Sequence, residues 1–224
     1  MSEQQKTLTI QQAIDLGGQH HKAGRLPEAE NIYQQILQTN PDQPVALHLL
    51  GVIAHQVGKK DVAVDLITKA LAVEPDYADA HSNLGIALQG LGKLEEAVAS
   101  YGKALAIRPN YADAHYNLGN TLKELDKPGE ALTQHRRAIS LDPQNDLFWA
   151  NFAGSLEATI FTSVDGNLYQ DLLHMLERPT VRPSYVTRPI ISALRHHPDF
   201  SRIVEPVSYT HLRAHETRHD LVCR

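Results

Sequence analysis

The run with the most to offer chemistry is His215-Glu216-Thr217-Arg218-His219, which matches the H-E-x-x-H pattern. On a helix that spacing sets two imidazoles on one face with a carboxylate between them to act as base on a zinc-bound water. Such a centre needs a third ligand and a cleft, and only five residues follow His219. The adjacent pair His20-His21 points two ways, about 100° apart on a helix, and does not chelate one ion. His81 and His115 stand 34 residues apart in matching surroundings and are expected at helix interfaces. Cys223 is the only thiol, so no disulfide or cysteine metal site can form within the chain. Catalytic residues, metal and cofactor are therefore all predicted to be none.

The tail weakens the zinc pattern further. Pro206-Val-Ser-Tyr-Thr-His-Leu-Arg-Ala-His-Glu-Thr217 reads as the translation of a transposon-end sequencing adapter. Asp220-Leu-Val-Cys-Arg224 reads as the distal adapter in the same frame. Residues 207–224 are accordingly expected to be a non-native scar and are set aside from fold reasoning. Their removal takes Cys223 with them and moves the formal net charge from −5 to −6. The native continuation is expected to have been lost near Pro206.

What positions the remaining residues is a repeat. Tyr77-Ala-Asp-Ala-His81 with Asn83-Leu-Gly85 returns as Tyr111-Ala-Asp-Ala-His115 with Asn117-Leu-Gly119, at an offset of 34. The same offset links Gly17, Gly51, Gly85 and Gly119; Ala29, Ala63, Ala97 and Ala131; and Pro41, Pro75, Pro109 and Pro143. A fixed period of this length marks stacked helix-turn-helix units. Glycine in a helix interior costs ~1 kcal/mol relative to alanine, so four of them need a reason. The expected one is close approach, with Ala97 of the second helix brought against Gly85. Gly24, Gly58 and Gly92, with Asp126 in the fourth unit, fall where first helices must stop. Pro27 and Pro128 suit the opening of second helices.

At these residues the chain resembles the tetratricopeptide repeat family. Leu16-Gly17, Leu50-Gly51, Leu84-Gly85 and Leu118-Gly119 carry the first-helix signature. Tyr33, Ile67, Tyr101 and His135 stand at the family's aromatic place, where the second and fourth units depart from it. The resemblance implies an all-α solenoid with units at 10–43, 44–77, 78–111 and 112–145. Residues 1–9 read as a leader, and 146–158 as a capping helix or fifth half-repeat built on Trp149, Phe152, Ala153 and Leu156. Residues 159–206 read as a helical linker or the start of a truncated second domain, with helices over Asn167–Glu177 and Ser184–His197. The run from Glu177 to Pro198 resembles the linker of bacterial repeat proteins fused to an S-adenosylmethionine-dependent methyltransferase.

Composition fits that architecture: 42% hydrophobic but only 6% aromatic, as expected where many small contacts spread along a stack. Mild acidity argues against a nucleic-acid partner. The sequence contains no run of 18 apolar residues, which argues against a membrane span. A cytoplasmic protein is expected. The family's concave surface implies a protein or peptide partner. On it stand Asn83, Asn117 and Asn151 at 34-residue spacing, with Asn120 a turn from Asn117 and Gln89, Lys123 and Glu157 in a neighbouring row. A similar asparagine ladder in O-linked N-acetylglucosamine transferase holds a peptide backbone. Two functions follow: a non-catalytic interaction module, or the recruiting arm of a methyltransferase or glycosyltransferase. Oligomeric state is not legible.

Overall fold

The computed structural model describes residues 8–157 and 171–172. The helices expected over Asn167–Glu177 and Ser184–His197 and the tail motif lie outside them, except Asp171 and Leu172, which are helical. The chain divides into two compact units, Met1–Phe148 and Trp149–Arg224. Among the described residues the helices are α1 Ile10–Lys22, α2 Leu26–Thr39, α3 Pro44–Gln56, α4 Lys60–Val73, α5 Ala78–Gly90, α6 Leu94–Ile107, α7 Ala112–Glu124, α8 Pro128–Leu141 and α9 Asp146–Glu157, and no strand occurs. Each of α1, α3, α5 and α7 packs on the second helix that follows it, and α2, α4 and α6 pack on α3, α5 and α7 in turn. In addition α3 touches α5 and α5 touches α7, so the first helices form a row of their own.

The boundaries have local causes. Thr9, placed with the leader by sequence, caps α1: its Oγ1 accepts from Gln12 N–H while Gln12 Oε1 accepts from Thr9 N–H. First helices end on the left-handed residues Gly24, Gly58 and Gly92, with φ of 73°, 83° and 75°. There the following N–H turns back to a carbonyl five residues earlier, as from Lys59 to Ala54 at 2.8 Å. Asp126 fills the same place at φ 57°, a conformation its short polar side chain tolerates. Second helices end at Asn40, Glu74, Arg108 and Asp142, each out of the helical region with ψ between 82° and 87° and each followed by the repeating proline.

Packing within a unit turns on the interior glycine. An added Cβ at Gly85 would stand 2.6 Å from the ring of Tyr101. The equivalent contacts are Tyr33 at Gly17 (2.5 Å), Ile67 at Gly51 (2.6 Å) and His135 at Gly119 (2.5 Å). Tyr101 stands nearest to Gly85, and at Gly51 the carbonyl of Ala63, the counterpart of Ala97, also lies 3.2 Å from the added Cβ. Ala97 is fully buried all the same, as are Ala29, Ala63 and Ala131. Ala70, Ala104 and Ala138, also fully buried, lie on the second helices that pack against the next unit. In α9, Trp149, Phe152, Ala153 and Leu156 are buried, and Trp149 meets Phe152 edge-on at 6.1 Å.

The glycine contact sets a stability prediction. Replacing Gly85 by Leu drives a side chain into the Tyr101 ring, and overpacking of this kind costs ~1–3 kcal/mol. Thermal unfolding followed by circular dichroism should show a lower midpoint for Gly85→Leu. An unchanged midpoint refutes the packing account.

Candidate functional site

The glycine also fixes which way the rest of a first helix faces. At about 100° per residue, Asn83 lies roughly 160° round α5 from Gly85, on the face opposite Tyr101. Asn117 repeats this on α7. Asn120, which follows Gly119, lies beside that face. All three asparagines and Gln89 are half-buried, and Lys123 is exposed. Asn151 is half-buried on α9, in the second compact unit. At the matching places α3 carries Leu49 and Val52, and α5 carries Ile86 beside Asn83; all three are half-buried. Within the first unit the row therefore changes from apolar on α3 to amide-rich on α7.

Side-chain bonds between neighbouring first helices run at an offset of 35, one more than the repeat. His21 Nε2 meets Gln56 Oε1 at 2.8 Å, Asn83 Nδ2 meets His48 Nε2 at 2.8 Å, and Gln89 Nε2 donates to Glu124 Oε1 at 2.6 Å. Asn83 is thus engaged within the array. His48 Nδ1 in turn lies 2.9 Å from Tyr77 Oη, and the two rings meet edge-on at 4.8 Å. The Asn117 side chain has no hydrogen-bond partner among the described residues. Where His55 would meet its own diagonal neighbour stands Gly90, whose carbonyl accepts instead from the Lys60 ammonium. A cation on that last-turn carbonyl is favourably placed against the α5 dipole.

A second polar group lies at the α5 entry. Arg108 grips Asp79 with two bonds of 2.9 Å and lies 4.6 Å from the Tyr111 ring centroid. The Arg108 bond holds the Asp79 carboxyl below the usual carboxylate range. Burial, and then Asp79, push the Tyr77 and Tyr111 hydroxyls up to about 12. The pair is near half exposed, so its net worth stays below ~1 kcal/mol.

The repeating histidines are structural. His81 Nε2 donates to the Pro75 carbonyl at 2.8 Å and His115 Nε2 to that of Pro109 at 3.0 Å, tying each turn to the next first helix. His20 accepts at Nδ1 from Arg25 at 3.0 Å. Among the described residues no three His, Cys, Asp or Glu are placed to hold a metal. His135 is wholly buried, its Nε2 3.2 Å from Asn120 Oδ1. Sequence reasoning missed both His48 and His135 as partners of the amide row. The signal for His48 is the 35-residue diagonal, which an in-register comparison at 34 cannot show.

Comparison with known proteins agrees with this geometry. Tetratricopeptide repeat family profiles match residues 20–82, 66–99 and 112–145, and a TPR repeat profile matches 90–126. Together they run unbroken over more than half the chain. A crystal structure of MamA protein is 21% identical, with a TM-score of 0.62 over 75% of this chain and 90% of that one. A thermophilic TPR protein of Thermus thermophilus is 22% identical, with a TM-score of 0.59 over 82% and 98%. An O-GlcNAc transferase of Thermobaculum terrenum is 29% identical, with a TM-score of 0.57 over 62% of this chain but 27% of that one. A search of curated proteins gave no match. The fold is an α-solenoid of helix-turn-helix repeats. The chain belongs to the tetratricopeptide repeat family and is a protein-interaction module.

The buried histidines give the array a pH dependence. Burial lowers His48 and His135 from 6.5 to about 4. Below pH 6.5 the unfolded chain takes up protons that the folded one refuses, so stability falls as pH drops from 6.5 to about 4 and then levels. For His135 alone the loss is on the order of 3 kcal/mol. His135→Tyr, the residue of the first and third units, should flatten the fall in melting temperature between pH 7 and 4.5. An identical slope in the variant refutes this origin.

Proposed function

We propose that the array binds an extended peptide along its row of first helices, without chemistry of its own. The observation that carries this is the amide row on the face opposite the second helices, with the Asn117 side chain unengaged among the described residues. An amide can donate to a backbone carbonyl and accept from a backbone N–H, so it grips a peptide with little regard for its sequence. Adjacent helices pack roughly 10 Å apart and an extended peptide advances about 3.3 Å per residue. Asn83 on α5 and Asn117 on α7 would therefore meet the peptide backbone about three residues apart. Leu49, Val52 and Ile86 supply an apolar stretch for side chains further along. The absence of catalysis is supported by how the polar groups are used: His48, His81, His115 and His135 all make structural hydrogen bonds.

A second reading has one observation in its favour. The likeness to the Thermobaculum terrenum O-GlcNAc transferase, of which this chain spans about a quarter, suits a recruiting arm of a larger enzyme. The groove behaves alike in both readings.

The test begins with peptides enriched on the whole chain from a random displayed library and titrated by fluorescence anisotropy. At ~1 kcal/mol for each hydrogen bond, changing Asn83 and Asn117 together to alanine should weaken binding on the order of 30-fold. The helices should persist, since alanine is the better helix former. Equal affinities, or no enrichment at all, would sink the groove reading.

A further inference from the structure

The interior glycine does more than admit a ring. Tyr101, lying against Gly85, donates its hydroxyl to Gln89 Oε1 at 3.3 Å. His135 lies against Gly119 in the same way, with Nε2 3.2 Å from Asn120 Oδ1. Twice, then, the buried tip of a second helix passes the missing Cβ and holds a carboxamide oxygen of the first helix. Holding the oxygen fixes the amide, because its carbonyl and NH2 ends are opposite sides of one planar group. In the third unit the NH2 end is used inside the array, by Glu124. In the fourth unit the NH2 end of Asn120 has no partner among the described residues. Asn117 lies one turn before it and the Lys123 ammonium, a donor only, one turn after.

We infer that His135 is a positioning residue for the groove: reaching past Gly119, it holds the Asn120 carboxamide by its oxygen, so that Asn120 offers its NH2 end alone and pairs with an acceptor, the backbone carbonyl of an extended peptide. This rests on the peptide-groove reading above. An unheld amide can turn over and offer either end; a held one discriminates. The role requires the His135 proton on Nε2, because only an N–H can donate to Oδ1. Sequence alone marks His135 as a departure from the family's aromatic place. The structure gives that departure a task that phenylalanine cannot perform and tyrosine can.

Two measurements test it on the whole chain. Nitrogen-15 NMR of the peptide-free protein reports which His135 nitrogen carries the proton. The Nε2–H tautomer is expected, and the Nδ1–H tautomer overturns the assignment. A library-selected peptide is then titrated against His135→Phe, His135→Tyr and Asn117→Ala, each first shown to melt cooperatively at neutral pH. His135→Phe keeps a ring without a donor and should weaken binding about fivefold, the worth of one hydrogen bond. His135→Tyr, whose hydroxyl does what Tyr101 does in the third unit, should restore wild-type affinity. Loss with Asn117→Ala but none with His135→Phe overturns the positioning role and leaves the groove standing. No loss with either overturns both, and equal loss in the Phe and Tyr variants reduces His135 to packing.

Discussion

Everything in this array depends on four missing Cβ atoms. At Gly17, Gly51, Gly85 and Gly119 the second helix lays a ring or branched side chain where a Cβ would otherwise stand, at 2.5–2.6 Å. That approach sets the distance within each helix pair. It also fixes the rotation of each first helix about its axis, because the glycine must face inward. Rotation then decides the rest: Asn83 and Asn117 face away from the second helices. The conformational cost of glycine in a helix is ~1 kcal/mol. It is offset by a wholly buried Tyr33, Ile67, Tyr101 or His135, and burial of a large side chain contributes ~1.5–3 kcal/mol.

Much of this was legible in the sequence because a solenoid repeats its contacts, so its punctuation repeats as well. The glycines at the first-helix ends and the prolines after the second helices fall as read, and Asp126 takes its left-handed place. Two details escaped for physical reasons. Ala97 and Tyr101 recur in the same frame, and periodicity cannot say which of them comes nearest to the gap; side-chain length puts the ring of Tyr101 there. The amide row was read in register at 34 residues, whereas its bonds run at 35. A side chain on one first helix reaches a residue displaced by one place on the next. His48 and Asn83 do not look like partners until the helices are laid side by side.

The same diagonal explains why the amide row is not uniform. Asn83 meets a histidine on the preceding helix, and Gln89 meets a glutamate on the following one. Asn117 stands one diagonal step beyond Ser82, whose shorter, buried side chain bonds no such neighbour among the described residues. Engagement within the array therefore depends on what the adjoining unit carries at one place. A unit's contribution to the groove can change through a single residue of its neighbour while the helix pair itself stays the same.

That independence has a limit, set by burial. His135 occupies a place filled elsewhere by tyrosine or isoleucine, and as a neutral imidazole in a closed space it makes the fold weaker in acid. Isoleucine at Ile67 avoids that penalty and has no polar tip to hold an amide from behind, and the places of Asn83 and Ile86 are taken on α3 by the apolar Leu49 and Val52. The first unit has the opposite mismatch: Tyr33 has a buried hydroxyl without a partner among the described residues, and the residue after Gly17 is Gly18, which offers no amide. Only where a polar tip and an amide coincide, at Tyr101 with Gln89 and at His135 with Asn120, does the glycine gap connect the core to the face. The array is thus built from one packing solution, and its surface chemistry is set by which tip is placed behind each glycine.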